Sequence, residues 1–521
     1  RLLEASNYFD SPAFFDPLSK NVDDIRTRHA NQHIPMITGA LQSYSGNHNP
    51  YYYYIADNFW NLIQGRYVYA MGGVGNGEMF RQPYSQMINL EPNINETCCA
   101  YNLAKLTKDL NCYNPDDARY MDYYERVLYN QLVGSLHPEH WLTTYQYAVG
   151  LNAAKEFGNE TPQSSCCGGT GVENHVKYQE AAYFVDDNTL WVALYLPSEA
   201  IWREKGCVVR QECEWPAERT RISVSGGQFS LKLRVPYWAT EGFQVKLNGR
   251  PLKSDYEPCS YVEIPLRDWH EGDVVEVEMP FATHFNYGPD KVDSSWLGTL
   301  MYGPLVMASS EISDWTKATF MLDSSSVIIE NNSKTESNNN DGNVCTLSLN
   351  GVTFQPDYYQ TSHSTHYLRL NLPQVNRSSK HGKIDRSVLE IYLQIAHERI
   401  EEENSWAPYG FRRMVSQLAS SQAIMDNRKA TQNEINETAS ALSFAINSMR
   451  PSTLAEPEDL TKLIELKEKI QNIPEKSRII SSAIENAEMV IDYVRHGSGT
   501  KDMINRAIQR IEQSMEKKGS H

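Results

Sequence analysis

Residues 189–195 read Thr-Leu-Trp-Val-Ala-Leu-Tyr, and this stretch marks a change in the period of the sequence. From about residue 186 apolar side chains recur at every second position, which is typical of half-buried β-strands. The same alternation is found in 229–235, 244–247 and 273–278. Asn248-Gly249 follows the third of these stretches and predicts a tight hairpin turn. The sequence therefore predicts a β-sandwich over 186–287.

The region before the sandwich, residues 1–185, has the apolar spacing of helices. Segments of helical length and period are 34–45, 51–64, 97–110 and 118–136. The loops between them contain the unusual residues, among them the glycine-rich loop 72–78 and the loop that carries Cys166. Rigid helices that present reactive residues on loops are a common arrangement in enzymes.

The region after the sandwich changes character twice. A second strand-rich domain is predicted over 288–376, and helix-forming residues dominate from there onward. Residues 384–449 and 456–517 resemble two copies of one unit, because matching residues recur at a constant offset of 69, as Ile435 and Ile504 show. We expect two helical modules in tandem, and a multidomain α + β fold for the whole chain.

Composition limits the kinds of partner. A net charge of −17 disfavours nucleic acid and anionic membrane surfaces and is compatible with a neutral substrate such as a sugar. No stretch approaches the roughly twenty apolar residues of a membrane span. The chain has nine cysteines, of which four form two adjacent pairs, so a disulfide scaffold is disfavoured. Cys207, Cys213 and Cys259 could pair with one another in an exported protein.

Four residues in two short motifs form a possible metal site. Glu96 and Cys98 lie in one motif, and Cys166 and Cys167 lie in another about seventy residues later. One carboxylate and three thiols suit tetrahedral Zn²⁺. Such a site could be purely structural, or one ligand could act as a reactive thiolate, because zinc deprotonates thiols. A third interpretation is that these are inert core cysteines.

Polar residues near these motifs extend the candidate site. Glu78 ends the glycine-rich loop and could be a general acid kept protonated by burial, or a solvated loop carboxylate. His29 and His33 flank a helix entrance, and His175 follows the second cysteine motif. Each histidine could serve a structural role, while together their imidazoles suit the hydroxyl groups of a sugar.

These motifs resemble one known group of enzymes, the β-L-arabinofuranosidases of glycoside hydrolase families 127 and 146, and the resemblance is closer to family 146. It is carried by 29–35 (HANQHIP), 72–78 (GGVGNGE), 96–102 (ETCCAYN) and 166–178 (CCGGTGVENHVKY). It continues through the sandwich and into the second strand-rich domain at 233–238 (LRVPYW), Asn248-Gly249, Trp269 and Gly303-Pro304.

The resemblance implies a retaining hydrolysis that releases terminal β-L-arabinofuranose from plant glycans. Cys166 would be the nucleophile and Glu78 the general acid/base. Zn²⁺ would be held by Glu96, Cys98, Cys166 and Cys167. The residues that the resemblance assigns to substrate binding are His29, His33, Tyr145 or Tyr147, Glu173 and His175.

The resemblance also implies an architecture. Residues 1–185 would be the C-terminal half of an (α/α)6 toroid, whose N-terminal half would belong to a longer polypeptide or come from elsewhere. The helical modules at the C-terminus resemble FIVAR modules, and the parent protein would be bacterial and extracytoplasmic. A rival interpretation is a non-catalytic carbohydrate-binding or surface-attachment protein with structural zinc. A zinc hydrolase that uses metal-bound water is disfavoured, because four protein ligands leave no open position.

Overall fold

The computed structural model describes residues 6–81, 83, 86, 90, 93–158, 165–252, 256–292, 295–321, 330–332, 345–371, 386–401, 406, 408–447, 449, 455–473, 478–495 and 501–516. The chain divides into two compact units. One contains residues 1–27, 40–62 and 376–521, and the other contains residues 28–39 and 63–375. Within the described residues, no helix has the length and apolar character needed to cross a membrane.

Helices of the N-terminal region confirm the four predicted helical segments. They are α1 (Pro12–Ser19), α2 (Ala30–Asn47), α3 (Pro50–Gln64), α4 (Thr97–Asn111), α5 (Ala118–Val127) and α6 (Cys166–Asn174), with a short 3-10 turn at Asn7–Phe9. Helix α5 continues into a π-helical turn, Leu128–Leu132, so that the predicted segment 118–136 changes its winding part-way. The implied half-toroid stays a prediction.

Strands fill the middle of the chain. The first two, β1 (Asn93–Glu96) and β2 (Gln146–Ala148), form an antiparallel pair among the helices. The strands of the sandwich are β3 (Tyr183–Val185), β4 (Thr189–Val192), β5 (Ser198–Trp202), β6 (Cys207–Glu212), β7 (Arg219–Ser225), β8 (Gln228–Val235), β9 (Gln244–Leu247), β10 (Arg250–Pro251), β11 (Ser260–Asp268) and β12 (Asp273–Glu278). A 3-10 turn at Arg203–Lys205 joins β5 to β6.

The sandwich has a six-stranded sheet, in the order β10-β9-β12-β7-β6-β5, and a four-stranded sheet, β11-β8-β4-β3. Their apolar faces form one buried core, which includes Ile222, Leu233 and Val275. The predicted hairpin is confirmed, because Asn248 and Gly249 have φ values of 51° and 74° between the antiparallel strands β9 and β10. Both residues lie in the left-handed region that such a turn requires.

A second β-domain follows the sandwich. Its eight described strands form one sheet, called the second sheet below: β13 (Thr283–Val292), β14 (Ser295–Tyr302), β15 (Leu305–Ala308), β16 (Thr319–Met321), β17 (Glu330–Asn332), β18 (Thr346–Leu349), β19 (Val352–Pro356) and β20 (Tyr367–Asn371). Strand β13 pairs with β14, so the change of sheet falls before Thr283 and the predicted boundary at 287 lies inside a strand. The break comes at Pro280, which lacks the N–H that would continue β12.

This second sheet packs against the segment that carries β1 and β2. Leu297 and Met301 of β14 share one buried cluster with Ile94 of β1 and Tyr147 of β2. A 3-10 turn, Asp357–Tyr359, follows β19 and also reaches this region, because the Tyr147 hydroxyl donates to Asp357 Oδ2 at 2.6 Å. The β1–β2 pair is therefore held in place by a domain that lies far away in the sequence.

The C-terminal region contains the predicted helices. They are α7 (Ser387–Glu401), α8 (Pro408–Asp426), α9 (Gln432–Asn447), α10 (Thr461–Gln471), α11 (Arg478–Arg495) and α12 (Lys501–Glu516), with a 3-10 turn at Pro457–Leu460. Helices α7 to α9 surround one apolar core and α10 to α12 surround another. Ile435 and Ile504, the pair related by the offset of 69 residues, are 1% and 4% exposed in their respective cores.

A buried ion network joins the sandwich to helix α5. The side chain of Arg234, on β8, is fully buried and forms ion pairs with Asp122 and Glu125 of α5. Its Nε also donates to the carbonyl of Ala193 at 2.6 Å, and Trp238 Nε1 donates to Glu125 Oε2 at 2.8 Å. Two buried carboxylates thus depend on one buried guanidinium.

We expect Arg234→Met to lower the free energy of unfolding by about 3–5 kcal/mol at neutral pH, because it leaves buried carboxylates unpaired. Burial, partly offset by Arg234, raises the pKa of Asp122 to about 6. An acid whose pKa is raised on folding binds more protons in the folded state, so its unfavourable contribution shrinks as pH falls. The loss should therefore be larger at about pH 7.5 than at about pH 5.

Thermal unfolding of both proteins at the two pH values measures this difference. Arg210→Met is a matched control, because Arg210 forms an exposed ion pair with Glu199 at 2.7 Å on the same sandwich. Its effect should stay within about 1 kcal/mol. Equal losses for the two variants, or a loss at Arg234 that does not change with pH, would contradict the role of the buried network.

Candidate active site and metal centre

Two helix N-termini meet at the cysteine motifs. Glu96 ends β1 and precedes α4, so that Cys98 and Cys99 lie in the first turn of this helix. Cys166 and Cys167 begin α6, where the Ser165 hydroxyl oxygen accepts from the Gly168 N–H at 3.0 Å and caps the helix. The positive ends of both helix dipoles therefore face the sulfur atoms, which favours thiolates.

The structure brings the four predicted ligands together. One donor atom from each of Glu96, Cys98, Cys166 and Cys167 lies within 4.8 Å of all the others. Cys98 Sγ lies 3.7 Å from Cys166 Sγ, 3.0 Å from Cys167 Sγ and 3.5 Å from Glu96 Oε1. Thiolates bound to a tetrahedral zinc at its usual bond length are separated by about 3.8 Å. The donor set and the Cys98–Cys166 separation fit a tetrahedral metal ion, whereas Cys98 and Cys167 would have to move apart to reach the same spacing.

The electrostatics of the cluster also suit a cation. Burial raises the pKa of Glu96, and repulsion from Glu78 adds to this effect. The hydrogen bond between the thiols of Cys98 and Cys167, together with burial, raises the pKa of Cys98. The same hydrogen bond lowers the pKa of Cys167. Burial and then the charge of Cys167 raise the pKa of Cys166. Four acidic groups so close together cannot all ionise unless a cation neutralises them.

Exposure distinguishes the four residues. Cys166 is exposed, whereas Glu96, Cys98 and Cys167 are buried. A metal held here would therefore be enclosed by three buried ligands, with one accessible sulfur. Although four protein ligands would complete the coordination of such a metal, Cys166 would remain open to another molecule.

Glu78 lies in a tight turn that its glycine neighbours permit. Its own φ is +68°, a left-handed value that is uncommon for a residue with a side chain. The turn is fixed from both sides, because the N–H of Ala30 donates to the Glu78 carbonyl at 2.8 Å and the N–H of Phe80 donates to the Arg28 carbonyl at 2.9 Å. Strained backbone of this kind is retained where the surroundings determine it.

The Glu78 carboxylate has one partner on each oxygen. Tyr145 donates its hydroxyl to Oε1 at 3.0 Å, and His29 Nε2 lies 3.2 Å from Oε2. Its side chain is 44% exposed, so the expected burial of this carboxyl is only partial. Tyr145 and His29 nonetheless hold both carboxylate oxygens in place.

The two tyrosines between which the sequence could not decide have different surroundings. Tyr145 contacts Glu78, and its carbonyl accepts from the N–H of Thr97 at 3.0 Å, between Glu96 and Cys98 in the chain. Tyr147 is fully buried and donates to Asp357, away from Glu78. The geometry therefore brings Tyr145 into the site and places Tyr147 in the support beneath it.

Three other predicted substrate-binding residues have partners of their own. His33 Nδ1 contacts the His29 carbonyl at 2.8 Å, and burial lowers the pKa of His33 to about 4. Glu173 forms an ion pair with Lys177, which lies four residues later and beyond the end of α6. His175 contacts the Tyr178 hydroxyl, and burial lowers the pKa of His175 to about 4. None of these contacts, among the described residues, involves Glu78 or the cysteine cluster.

Three residues outside the predicted ligand and substrate-binding sets contact the site. Cys99 Sγ lies 3.6 Å from Glu96 Oε2, on the carboxylate oxygen that faces away from the other thiols. Asn31 Nδ2 lies 4.0 Å from Cys166 Sγ, and Asn102 Nδ2 donates to Asn31 Oδ1 at 3.1 Å. Asn31 and Asn102 were inside the quoted motifs, but nothing in their spacing showed that they touch.

Two regions of the chain match models of known domain families. Residues 1–180 match the model of the β-L-arabinofuranosidase GH127 catalytic domain, and residues 189–281 match that of the GH127 middle domain. Together the two matches span just over half of the chain. The chain contains a GH127 catalytic domain and a GH127 middle domain. It is therefore a glycoside hydrolase by family.

Solved structures agree on the fold of this GH127 chain. A protein described as a glycoside hydrolase matches with a TM-score of 0.55 at 19% identity, over 67% of each chain. A GH127 β-arabinofuranosidase matches with a TM-score of 0.55 at 21% identity, and the match covers 68% of this chain and 62% of that protein's chain.

A third structure, a GH127 β-L-arabinofuranosidase from Geobacillus stearothermophilus, matches with a TM-score of 0.51 at 19% identity. This match covers 67% of this chain and 61% of that protein's chain. The chain thus spans about two thirds of these relatives, and at such identities the likeness is one of fold. A search of curated protein sequences finds no match.

The contact of Cys99 generates a prediction about metal binding. Because its thiol can donate to Glu96 Oε2, it leaves Oε1 directed at Cys98 and Cys167. Loss of such an outer contact typically weakens metal affinity about 10- to 100-fold. We expect Cys99→Ala to show this loss and Cys99→Ser, which keeps a donor, to stay within a few-fold of the parent.

Competition with a chromophoric chelator for Zn²⁺ measures both affinities. Cys112→Ala is a matched control, because Cys112 is an exposed thiol that follows the far end of the same helix. Equal weakening by the alanine and serine variants would mean that Cys99 acts through packing, and unchanged affinity in both would dismiss the contact.

Proposed function

We propose that this chain is a retaining β-L-arabinofuranosidase that releases terminal β-L-arabinofuranose from plant glycans, with Cys166 as nucleophile. The observation that carries the proposal is the pairing of two groups at one site. An exposed cysteine is the accessible member of a cluster of one glutamate and three cysteines, and a carboxylate, Glu78, is held by His29 and Tyr145 close enough to Glu96 to raise its pKa. The family matches supply the reaction class.

The proposed first step transfers the sugar to Cys166. The thiolate attacks the anomeric carbon, and the bond to the leaving oxygen breaks as Glu78 gives that oxygen its proton. Tyr145 and His29 hold one carboxyl oxygen each, so the orientation of the acid does not depend on the substrate. The exposure of Cys166 leaves its sulfur accessible to a sugar, which the buried thiols of Cys98 and Cys167 are not.

The proposed second step reverses the roles. Glu78, now a carboxylate, takes a proton from water, and the water oxygen attacks the anomeric carbon while the electron pair of the carbon–sulfur bond returns to Cys166. Two displacements at one carbon give net retention of configuration.

The metal of this proposal is Zn²⁺, held by Glu96, Cys98, Cys166 and Cys167. When bound, it would supply the positive charge that keeps thiolates ionised near neutral pH. Neighbouring elements position these four residues. Ser165 caps α6, which carries Cys166 and Cys167, and β1 ends at Glu96, immediately before α4.

Several wider features of the proposal rest on the sequence resemblance. The chain would be closer to family 146 than to family 127, and its helical N-terminal region would be half of an (α/α)6 toroid within a longer protein. The parent would be bacterial and extracytoplasmic, and its C-terminal bundles would be FIVAR-like spacers. His33, Glu173 and His175 would contact parts of the glycan beyond the sugar held at Glu78. The acidic net charge supports a neutral glycan as partner.

The decisive test is release of L-arabinose from an aryl β-L-arabinofuranoside by the zinc-loaded chain. We expect Cys166→Ser to abolish turnover, and Glu78→Gln to lower kcat by about 10²–10⁴ because a general acid/base contributes that much. Intact-protein mass spectrometry of quenched reactions should show one pentosyl group on the parent chain and none on Cys166→Ser.

Zinc content separates the two roles of Cys166. Cys167→Ser is the matched control, since it removes a buried ligand of the same cluster but leaves the proposed nucleophile. A Cys166→Ser chain that keeps zinc yet makes no sugar adduct identifies the nucleophile. Glycan binding without turnover by the zinc-loaded parent, unaffected by Glu78→Gln, would favour the carbohydrate-binding interpretation instead.

A further inference from the structure

The side-chain amide of Asn102 has only one possible orientation. Asn102 lies one turn after Cys98 in α4, and its Nδ2 donates to the Cys98 carbonyl at 3.0 Å. A carbonyl oxygen can only accept, so the amide cannot be turned around without losing this bond. The second hydrogen on Nδ2 is directed at Asn31 Oδ1, at 3.1 Å.

The orientation of Asn102 determines that of Asn31. Because Asn31 Oδ1 accepts from Asn102, the NH₂ group of Asn31 must face the other way, toward Cys166 Sγ at 4.0 Å. Catalytic hydrogen bonds are often long in free enzymes and shorten when charge develops. Asn31 also follows Ala30, whose N–H is bonded to the Glu78 carbonyl, so one segment carries contacts to both proposed reacting groups.

We propose that Asn31 is a catalytic residue that donates an N–H···S hydrogen bond to Cys166, and that Asn102 is the positioning residue that directs it. This inference rests on the proposed function and extends it. The donor matters most in the second displacement, when water attacks the anomeric carbon. There the carbon–sulfur bond breaks, its electron pair returns to Sγ, and the proton of the water passes to Glu78.

The direction of the effect follows from where charge develops. In the first step the thiolate loses charge as it attacks, so a donor to sulfur gives no assistance. In the second step negative charge returns to sulfur, and a donor aimed there stabilises the transition state relative to the sugar adduct. Removing the donor should therefore slow the second step selectively and let the adduct accumulate.

The test compares Asn31→Ala, Asn102→Ala and the double variant with the zinc-loaded parent on an aryl β-L-arabinofuranoside. For Asn31→Ala we expect kcat to fall roughly 10- to 100-fold, the scale of a hydrogen bond to a charged group. KM should fall with it, and the mass-shifted fraction of quenched enzyme should rise. Asn102→Ala should show a smaller change in the same direction, and the double variant should be no slower than Asn31→Ala.

A second readout does not require turnover. With Co²⁺ in the cluster, the sulfur-to-metal charge-transfer band reports the charge on the thiolates. Loss of a donor to sulfur should move this band to longer wavelength in Asn31→Ala. Gln32→Ala is the matched control, because Gln32 is the exposed amide next to Asn31 on the same helix, and it should change neither the band nor kcat.

The outcomes separate this inference from the function on which it rests. If the parent chain turns over substrate and Asn31→Ala lowers kcat with no fall in KM and no adduct, the proposed donor role is wrong. If the parent chain shows no turnover, the proposed function fails, and an unchanged cobalt band in Asn31→Ala would then overturn the contact to sulfur as well.

Discussion

Three thiols and a carboxylate, placed within 4.8 Å of one another, are the constraint on which the site depends. Such a cluster has too much potential negative charge to ionise by itself, and burial of three of its members increases the cost. The fold reduces this cost by directing two helix N-termini at the sulfur atoms. A cation would complete the neutralisation, so the geometry and the electrostatics favour the same kind of occupant.

The scaffold holds this cluster from several sides. Strand β1 carries Glu96, β2 pairs with it, and both pack on the second sheet. Arg234 joins the sandwich to α5 through two buried carboxylates. The sandwich and the second sheet, which the sequence alone marks as accessory domains, therefore help to hold β1, β2 and α5 of the catalytic region in place.

Much of the fold and of the candidate site was predictable from the sequence, because these features depend on local patterns. The helix that begins at Thr97, the hairpin at Asn248 and the cluster of four donor residues all follow from period, turn chemistry or donor type. The contact between Asn31 and Asn102 spans 71 positions and has no periodic signal. The choice between Tyr145 and Tyr147 was also beyond the sequence, since both belong to one short segment and only tertiary partners distinguish them.

Those partners show how the second sheet acts on the site. Burial alone would raise the pKa of Asp357, but Lys155 and His366 lower it well below its ordinary range, so Asp357 remains an acceptor for the Tyr147 hydroxyl. Lys155 also donates to the Asp357 carbonyl at 2.6 Å, which fixes the turn itself. Tyr147 is two residues from Tyr145, and Tyr145 holds Glu78. An ionised side chain in the second β-domain thus contributes to the position of the proposed acid through one short strand.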